Sequence, residues 1–168
     1  MDISHSSPHP FYKLSNFAVN PFVIDGVEVS SMEGFLQSLK FRDAEKQKEV
    51  CALSALQANE IGENEVKWKK HQELWWNGRP YRRLRREYLD LLDRAYYLMM
   101  DANPSFATAL KLTGDEELTH EIGEKSRRSF VITQREFCLL LTRLRHSLKP
   151  DLLNQERPVT SHRRLFGR

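Results

Sequence analysis

Residues 30–41 read Ser-Ser-Met-Glu-Gly-Phe-Leu-Gln-Ser-Leu-Lys-Phe, and this stretch decides how the fold is interpreted. Its apolar side chains recur at the spacing of one helix face: Met32, Phe35, Leu36 and Leu39. Glu33, Gln37 and Lys40 are four and three positions apart, so they share another stripe of the same helix. A carboxylate, an amide and an ammonium on one helix face indicate either a ligand site or an ordinary solvated face.

A short β-hairpin is predicted directly before this helix. Residues 22–24 and 27–29 are rich in Val, Ile and Phe, and they flank Asp25-Gly26, which supplies the positive φ of a type I′ turn. Asn16, in the segment Leu-Ser-Asn-Phe, is either a turn residue or a ligand-binding residue.

The rest of the chain has helical periodicity nearly to Pro150. Helices are predicted over residues 30–53 (with residue 43 as a candidate break), 56–61, 65–74, 80–101, 103–114 and 133–148. Residues 75–80 are predicted as a break, and Thr133 and Glu136 form a capping box. We therefore predict a mainly α (α+β) protein, a compact multihelical single domain with a small N-terminal β-hairpin.

Composition and charge define the boundaries of that domain. The chain has 168 residues, which is enough for one domain with a core. Residues 149–168 hold five basic and two acidic side chains and so account for the whole net charge of +3. We predict a flexible leader at 1–10, a domain at 11–148 and a basic, disordered tail at 149–168. The near-neutral body does not indicate a nucleic-acid-binding domain on charge alone.

Several function classes find no support in the sequence. No apolar run approaches the roughly 20 residues of a membrane span, and residues 1–10 lack the pattern of a signal peptide. Cys51 and Cys138 occur in apolar helical settings, which predicts reduced, buried thiols and a cytoplasmic location. Metal-ligand spacing, a phosphate loop, a dinucleotide fingerprint and a named nucleophile motif are all absent. We expect no cofactor, and carboxylate chemistry without a metal is the leading enzymatic option.

Glu33 has two interpretations. Ser30-x-x-Glu33 fits a capping box, in which the glutamate side chain returns to the N–H of the cap residue. In the other interpretation Glu33 faces a pocket, where it activates water or stabilises a developing oxocarbenium ion at a glycosidic carbon. A second carboxylate is often needed for sugar chemistry, and the sequence does not identify one.

Four arginines fall in the first turns of the predicted 80–101 helix. They are Arg82, Arg83, Arg85 and Arg86. Cations there oppose the helix macrodipole, at about 0.3–1 kcal/mol each when exposed, whereas a helix N-terminus favours anions. Both points favour a phosphate or pyrophosphate held bidentately by arginine. The other interpretation is a solvated face paired with Glu87 and Asp90.

Three tryptophans, Trp68, Trp75 and Trp76, occur within nine positions of each other. They are close to a Gly-Arg-Pro turn, where an indole could stack on a base or a nicotinamide ring. Packing in the core is the other interpretation.

The combined motifs resemble the NADAR family, also called YbiA-like. That family has an S-N-F segment, then D-G, then S-x-E-H-x-x-Q-x-x-K-F, and the matching segments here are 15–17, 25–26 and 31–41. The resemblance extends roughly over residues 11–148. Two features depart from the pattern: Gly34 occupies the His position, and residues 119–126 replace a D-x-x-W-G-x-G segment.

The resemblance implies a compact helical fold and an association with NAD and ADP-ribose metabolism. Some NADAR proteins hydrolyse N-glycosidic bonds, either in early riboflavin-pathway intermediates or in ADP-ribose attached to guanine in nucleic acid. The family's catalytic glutamate corresponds to Glu33, and its S-N-F, Gln and Lys positions correspond to Asn16 with Phe17, Gln37 and Lys40.

The leading hypothesis is therefore a metal-free N-glycosidase that acts on an ADP-ribose-like nucleotide or ADP-ribosylated nucleic acid. Glu33 is its predicted catalytic residue. The predicted substrate-binding residues are Asn16, Phe17, Gln37, Lys40, Trp68, Trp75, Trp76, Arg82 and Arg86, with the arginines on the pyrophosphate and a tryptophan on the base. Three hypotheses remain beside it: an N-glycosidase on riboflavin-pathway ribosylated intermediates, a non-catalytic ADP-ribose or NAD-binding module, and a structural helical protein.

Overall fold

Two β-hairpins and seven α-helices make up the part of the chain that the computed structural model describes, residues 1–123 and 125–148. In chain order the elements are a 3-10 turn (Phe11–Leu14), β1 (Phe22–Ile24), β2 (Val27–Val29), α1 (Met32–Ser38), α2 (Ala44–Ala52), α3 (Ala55–Glu63), α4 (Trp68–His71), β3 (Glu73–Trp76), β4 (Arg79–Arg82), α5 (Arg86–Ala102), α6 (Pro104–Leu112) and α7 (Gln134–Ser147). The predicted fold class is confirmed. The predicted tail at 149–168 lies outside the described residues.

The first hairpin forms as predicted. Strands β1 and β2 pair antiparallel, with Phe22 opposite Val29, and their inward side chains are buried. Asp25 and Gly26 both have positive φ, 50° and 78°, which is the geometry of a type I′ turn.

The prediction of a helix over residues 65–74 and a break over 75–80 is wrong, because a second hairpin forms there. Only Trp68–His71 are helical there, and β3 and β4 follow around a turn at Asn77-Gly78, whose φ values are 49° and 81°. Asn-Gly strongly favours a type I′ hairpin turn. Pro80 is tolerated because the sheet has only two strands, so each of them is an edge strand. Pro80 therefore lies in a strand, and the long helix begins later, at Arg86.

The predicted helix over 30–53 is divided in two. Helix α1 ends at Ser38, and α2 begins after Asp43, whose carboxylate caps it by accepting a hydrogen bond from the Lys46 N–H at 2.8 Å. Every residue of α1 is buried, because α2, α3, α5 and β2 pack around it. The helix that carries the polar stripe is thus at the centre of the molecule.

The C-terminal helices form much of the core. Helix α5 buries Tyr88 and Tyr96, α6 buries Phe106, and α7 buries Phe137 and Leu141. The predicted capping box of α7 is present, with Thr133 Oγ1 and the Glu136 carboxylate each bonded to the other's backbone N–H. None of the helices over residues 1–123 and 125–148 combines the length and hydrophobicity needed to cross a membrane.

Residues 1–10, predicted as a flexible leader, are instead packed on the domain. Ile3 is fully buried, and its N–H donates to the Thr119 carbonyl at 2.8 Å. Asp2 accepts a hydrogen bond from the Glu121 N–H at 2.8 Å. The apolar side chain of Ile3 joins the core, which fixes this segment against residues 119–121.

The two cysteines are free thiols. Cys51 is buried, as predicted, whereas Cys138 is only half-buried. The position of Cys138 in α7 accounts for the difference, since its neighbour Leu139 lies on the exposed side of that helix.

Candidate functional site

The N-terminus of α1 is fixed by the loop that precedes the first hairpin. Ser31 is the cap, since its Oγ accepts a hydrogen bond from the Gly34 N–H at 3.1 Å. The Glu33 N–H donates to the Asn16 carbonyl at 3.0 Å. Ser30, the cap in the capping-box interpretation, instead donates through Oγ to Ala52 O and through its N–H to Cys51 O. That interpretation is wrong, and the Glu33 side chain does not return to Ser30.

The Glu33 carboxylate is oriented by two amides. Gln37 Nε2 donates to Glu33 Oε1 at 2.7 Å, and Asn59 Nδ2 donates to the same oxygen at 3.1 Å. The side chain is only 7% exposed. No group among residues 1–123 and 125–148 bonds to the second oxygen, Oε2. One oxygen is therefore held by the protein while the other is left for a ligand.

Five of the predicted residues line one cavity of about 330 Å³: Asn16, Phe17, Glu33, Gln37 and Lys40. The helical stripe identified in the sequence supplies three of them, and the loop before the first hairpin supplies two. Polar groups that are distant in sequence therefore converge on one concave surface, as they do in small-molecule sites.

Asn16 is held by a buried tyrosine. The Tyr96 hydroxyl donates to Asn16 Oδ1 at 2.6 Å. Burial raises the pKa of Tyr96 well above its ordinary value, and the nearby Glu33 carboxylate acts in the same direction. Tyr96 therefore stays protonated and remains a donor, which leaves the Asn16 Nδ2 group available to a ligand.

Lys40 brings a positive charge to the same cavity. Its Nζ donates to the Gly62 carbonyl at 2.9 Å, which ties the end of the stripe to α3. Burial lowers the pKa of Lys40 below its ordinary value, while the Glu33 carboxylate opposes that shift. The ammonium and the carboxylate are thus close enough to influence each other.

Gly62 makes this arrangement possible. A β-carbon at position 62 would lie 1.9 Å from Gln37 Oε1, so α3 can approach α1 this closely only with glycine there. Gln37 Oε1 is buried and has no hydrogen-bond partner in the part of the chain that the structure describes. A buried unpaired acceptor beside a cavity is a group that a ligand donor could satisfy.

The predicted tryptophans and arginines do not line this cavity. Trp76 is buried, packs on Phe35 and donates through Nε1 to Asp25 at 2.7 Å. Trp68 is also buried, and Trp75 is half-buried in a separate groove. The core interpretation therefore holds for Trp68 and Trp76.

The phosphate site predicted at the arginines is not formed in the structure. Arg82 lies in β4, where its Nε is 3.9 Å from a Glu73 oxygen. Arg86 is exposed and pairs with Asp90 at 2.9 Å, as the solvated-face interpretation expects. Arg83 is fully buried and forms two hydrogen bonds with the Glu136 carboxylate, at 3.1 and 2.6 Å. Arg82, Arg83 and Arg86 therefore have separate partners and do not converge on one anion site.

The cavity is also lined by polar residues that were not predicted, among them Asn59, Glu63 and His120. Asn59 and Glu63 are four positions apart on α3, so they share a face, but nothing in the sequence pairs that helix with α1. Glu63 is a second carboxylate in the cavity lining, and its side chain is exposed. His120 Nδ1 lies 2.5 Å from the Ile3 carbonyl and so carries the proton in the neutral ring, which leaves Nε2 as an acceptor.

Gly34 does not line the cavity. A β-carbon at position 34 would contact Val50 O at 3.4 Å and Cys51 O at 3.5 Å, on the side of α1 turned toward α2. Within the described ranges no set of three His, Cys, Asp or Glu side chains is placed to hold a metal ion.

The site can now be compared with known proteins. A family model described as bacteriophage protein GP30.3 matches residues 9–146. The chain belongs to this family. This GP30.3-family protein is 32% identical over 149 residues to an uncharacterized 17.1 kDa protein from the Gp30–rIII intergenic region of enterobacteria phage T4, with 88% of this chain and 98% of the relative covered.

A solved structure establishes the fold. The NMR structure of the E. coli protein YbiA matches this GP30.3-family protein with a TM-score of 0.60 and 20% identity, covering 95% of this chain and 88% of YbiA. The predicted resemblance to the YbiA-like family is confirmed, as a shared fold. The residue roles inferred from that resemblance remain predictions.

Proposed function

We propose that this protein hydrolyses the N-glycosidic bond of an ADP-ribose-like substrate, such as ADP-ribose joined to guanine in nucleic acid. One observation carries the proposal. The Glu33 carboxylate lies in a cavity of about 330 Å³, with Oε1 held by two amides and Oε2 free of any partner among the described residues. A buried, oriented carboxylate with one unoccupied oxygen is suited to act on a sugar carbon.

The proposed reaction requires no group beyond the substrate, water and the side chains of the cavity. The bond between the ribose C1′ and the base nitrogen breaks, and positive charge develops on the ribose as an oxocarbenium ion. Glu33 Oε2 stabilises that charge and accepts one proton from the attacking water, whose oxygen bonds to C1′. The departing base retains the bond electrons and takes up a proton from solvent, and Glu33 then returns the proton of the attacking water to solvent.

The neighbouring groups fit the remainder of such a substrate. Asn16 Nδ2 is a free donor for a ribose hydroxyl, and the Lys40 ammonium can neutralise a phosphate. Phe17 is 40% exposed beside the cavity, so its ring offers a stacking surface for a base. Phe17 takes the role that the sequence analysis gave to a tryptophan.

The test uses a DNA oligonucleotide that carries ADP-ribose on guanine. Wild type and Glu33→Gln are incubated with it, and free ADP-ribose is measured. We expect release by wild type and at least a roughly 100-fold slower rate for the variant, because a positioned carboxylate contributes about 10²–10⁴-fold. Glu28→Gln is the matched control, since Glu28 is exposed on β2 and away from the cavity.

Other outcomes assign other functions. Tight binding without release, equal in wild type and Glu33→Gln, would identify a nucleotide-binding module. Release only from a riboflavin-pathway ribosylated intermediate, supplied in a parallel reaction, would identify the other N-glycosidase. A fully active Glu33→Gln protein would remove Glu33 from the mechanism.

A further inference from the structure

A second concave surface adjoins the candidate site and shares Lys40 with it. This surface, which we call the Trp75 groove, has a volume of about 680 Å³ and lies between the start of α2, helix α4 and strand β3. Lys40 lines both the groove and the cavity that holds Glu33. A polymeric ligand bound in the groove can therefore extend into the cavity past the Lys40 side chain.

The groove is lined by more cations than anions. Its basic side chains are Lys40, Arg42, Lys46, Lys67, Lys70 and His71, and its acidic side chains are Asp43, Glu65 and Glu73. Asp43 and Glu65 accept backbone N–H bonds from Lys46 and Lys67, and Glu73 lies 3.9 Å from Arg82. The Lys46 ammonium pairs with Glu49 at 2.9 Å. The ammonium groups of Lys67 and Lys70 pair with no side chain over the described ranges. Five lysine and arginine side chains against three carboxylates give the groove lining a net positive charge, and Lys67 and Lys70 are available to an external partner.

Aromatic and cationic groups are interleaved in the groove. The Arg42 guanidinium lies over the Trp75 ring, 4.8 Å from its centroid, and Trp75 is half-buried. Trp68 forms part of the wall, and its buried Nε1–H has no hydrogen-bond partner in the described part of the chain. A stacking ring beside several free cations is typical of surfaces that bind unpaired bases and their phosphates.

We infer that the Trp75 groove binds single-stranded nucleic acid. Trp75 and Arg42 supply the stacking surface for an unpaired base, while Lys67 and Lys70 contact phosphates. An unpaired strand is favoured over a duplex because only an unstacked base exposes its face to an indole. The near-neutral charge of the body does not reveal this surface, because the groove brings together basic residues from separate stretches of the chain, 40–46 and 67–71.

The groove also determines the substrate class, and this part of the inference rests on the proposed function. If Glu33 cleaves ADP-ribose from a base, the strand that carries the base must leave the cavity along the protein surface. The Trp75 groove offers that path, because Lys40 lines both sites. The preferred substrate is then an ADP-ribosylated single strand and not a free nucleotide.

The binding test uses the full chain and a fluorescently labelled, unmodified single-stranded DNA of 12 nucleotides. Arg42→Ala/Lys70→Ala removes two exposed cations from the groove. Arg86→Ala/Lys111→Ala removes two exposed cations elsewhere and is the matched control. We expect a loss of affinity of about 10-fold or more for the groove variant only. Its plot of log K against log salt should be shallower by about 0.7, because the variant loses the one phosphate contact that Lys70 makes.

A further variant examines stacking. Trp75→Leu should weaken binding by about 10-fold and Trp75→Phe by less, because base–aromatic stacking contributes on that scale. Equal affinities of the groove and control variants would overturn the inference. So would duplex DNA bound as tightly as the single strand, or poly-glutamate bound as tightly as DNA. Thermal unfolding of each variant shows that the protein remains folded.

Activity assays separate this inference from the proposed function. If both the proposed function and the groove inference are correct, Arg42→Ala/Lys70→Ala lowers kcat/KM on the ADP-ribosylated oligonucleotide by about the measured loss of affinity. The same variant leaves turnover of ADP-ribosyl-guanosine unchanged. If wild type cleaves neither substrate, the proposed function fails, while the affinities for the labelled single strand still test the groove inference. If both substrates respond equally to the groove variant, the groove inference fails and the hydrolase remains.

Discussion

Gly62 and Gln37 approach each other so closely that a β-carbon on Gly62 would lie 2.9 Å from Gln37 Cβ as well as 1.9 Å from its Oε1. The contact is with the stem of the Gln37 side chain and not only with its flexible end. It allows α3 to lie against α1, and the same helix then brings Asn59 to the Glu33 carboxylate. The absence of a side chain at Gly62 on α3 therefore permits the hydrogen bond from Asn59 to Glu33 on α1.

Gly62→Ala should damage the site and the stability together. The added methyl group forces α3 away from Gln37, and overpacking of this kind costs about 1–3 kcal/mol of unfolding free energy. The Asn59 bond to Glu33 lengthens as α3 moves, so hydrolysis should fall as well. Urea unfolding and the ADP-ribose release assay measure the two effects. Leu56→Ala, at an exposed position of α3, should change neither.

Asn59→Ala should slow the reaction without unfolding the protein. The variant removes one of the two donors to Glu33 Oε1, and a hydrogen bond to a charged group contributes about 1.5–3 kcal/mol. If that orientation operates in the transition state, kcat should fall by about 10- to 100-fold. Asn64→Ala, at the exposed end of the same helix, is the control. An Asn59→Ala protein with wild-type kcat would show that Gln37 alone is sufficient to position Glu33.

Arg83 and Glu136 should contribute more to stability than any exposed ion pair. Arg83 is fully buried, and it also donates through Nε to Phe130 O at 2.8 Å. Arg83→Met leaves the Glu136 carboxylate without its main partner, which should lower the unfolding free energy by about 3–5 kcal/mol. Arg86→Met, which breaks the exposed pair with Asp90, should lower it by less than about 1 kcal/mol. Chemical denaturation of both variants measures the difference.

The Arg83–Glu136 pair should also make the free energy of unfolding depend on pH in the acidic range. Burial alone would raise the pKa of Glu136, but the hydrogen bonds and charge of Arg83 outweigh it and lower the pKa below 4.5. Because the folded-state pKa is the lower one, the stabilisation is present above the unfolded-state pKa and is lost as the pH falls through the folded-state pKa. The unfolding free energy should therefore decrease with acidification below about pH 4.5. In Glu136→Gln this pH dependence should be smaller, and an unchanged slope between pH 5 and 3 would contradict the assignment.

Neither cysteine should react readily at neutral pH. Burial raises the pKa of Cys51 and of Cys138 to about 11, so at pH 7.5 fewer than about one thiol in a thousand is ionised. Iodoacetamide should label the folded protein far more slowly than it labels glutathione. Unfolding in urea should restore rapid labelling at both positions. Fast labelling of the half-buried Cys138 alone would show that α7 opens locally.

The sequence predicted the features that depend on local periodicity. Helical spacing predicted one stripe of Glu33, Gln37 and Lys40, of which Glu33 and Gln37 lie in α1 and Lys40 follows two residues after its end. Asp25-Gly26 predicted the first hairpin. The second hairpin was missed although Asn77-Gly78 is an equally strong signal, because the flanking residues were assigned to helices. The stripe was predicted correctly because its residues are close in sequence and Gln37 bonds to Glu33 within α1, whereas the bonds to Asn59 and Gly62 join the stripe to α3.

Contacts made over long sequence distances could not be predicted. Asn59 reaches Glu33 only because α3 folds back on α1, and His120 enters the cavity wall through its bond to the Ile3 carbonyl. Arg83 appeared to belong to a phosphate site until the loop before α5 placed it beside Glu136, far along the chain. Each of these depends on a pairing of elements that neither periodicity nor capping signals encode.

The environments of the tryptophans give the molecule an internal optical reporter. Trp75 borders the groove and is half-buried, whereas Trp68 and Trp76 are only 4% and 2% exposed. Within the part of the molecule that the structure describes, no indole lines the cavity around Glu33. Quenching of intrinsic emission will therefore follow occupancy of the groove, while a small nucleotide in the cavity leaves the spectrum almost unchanged. Two adjacent ligands can be distinguished in one cuvette without a label.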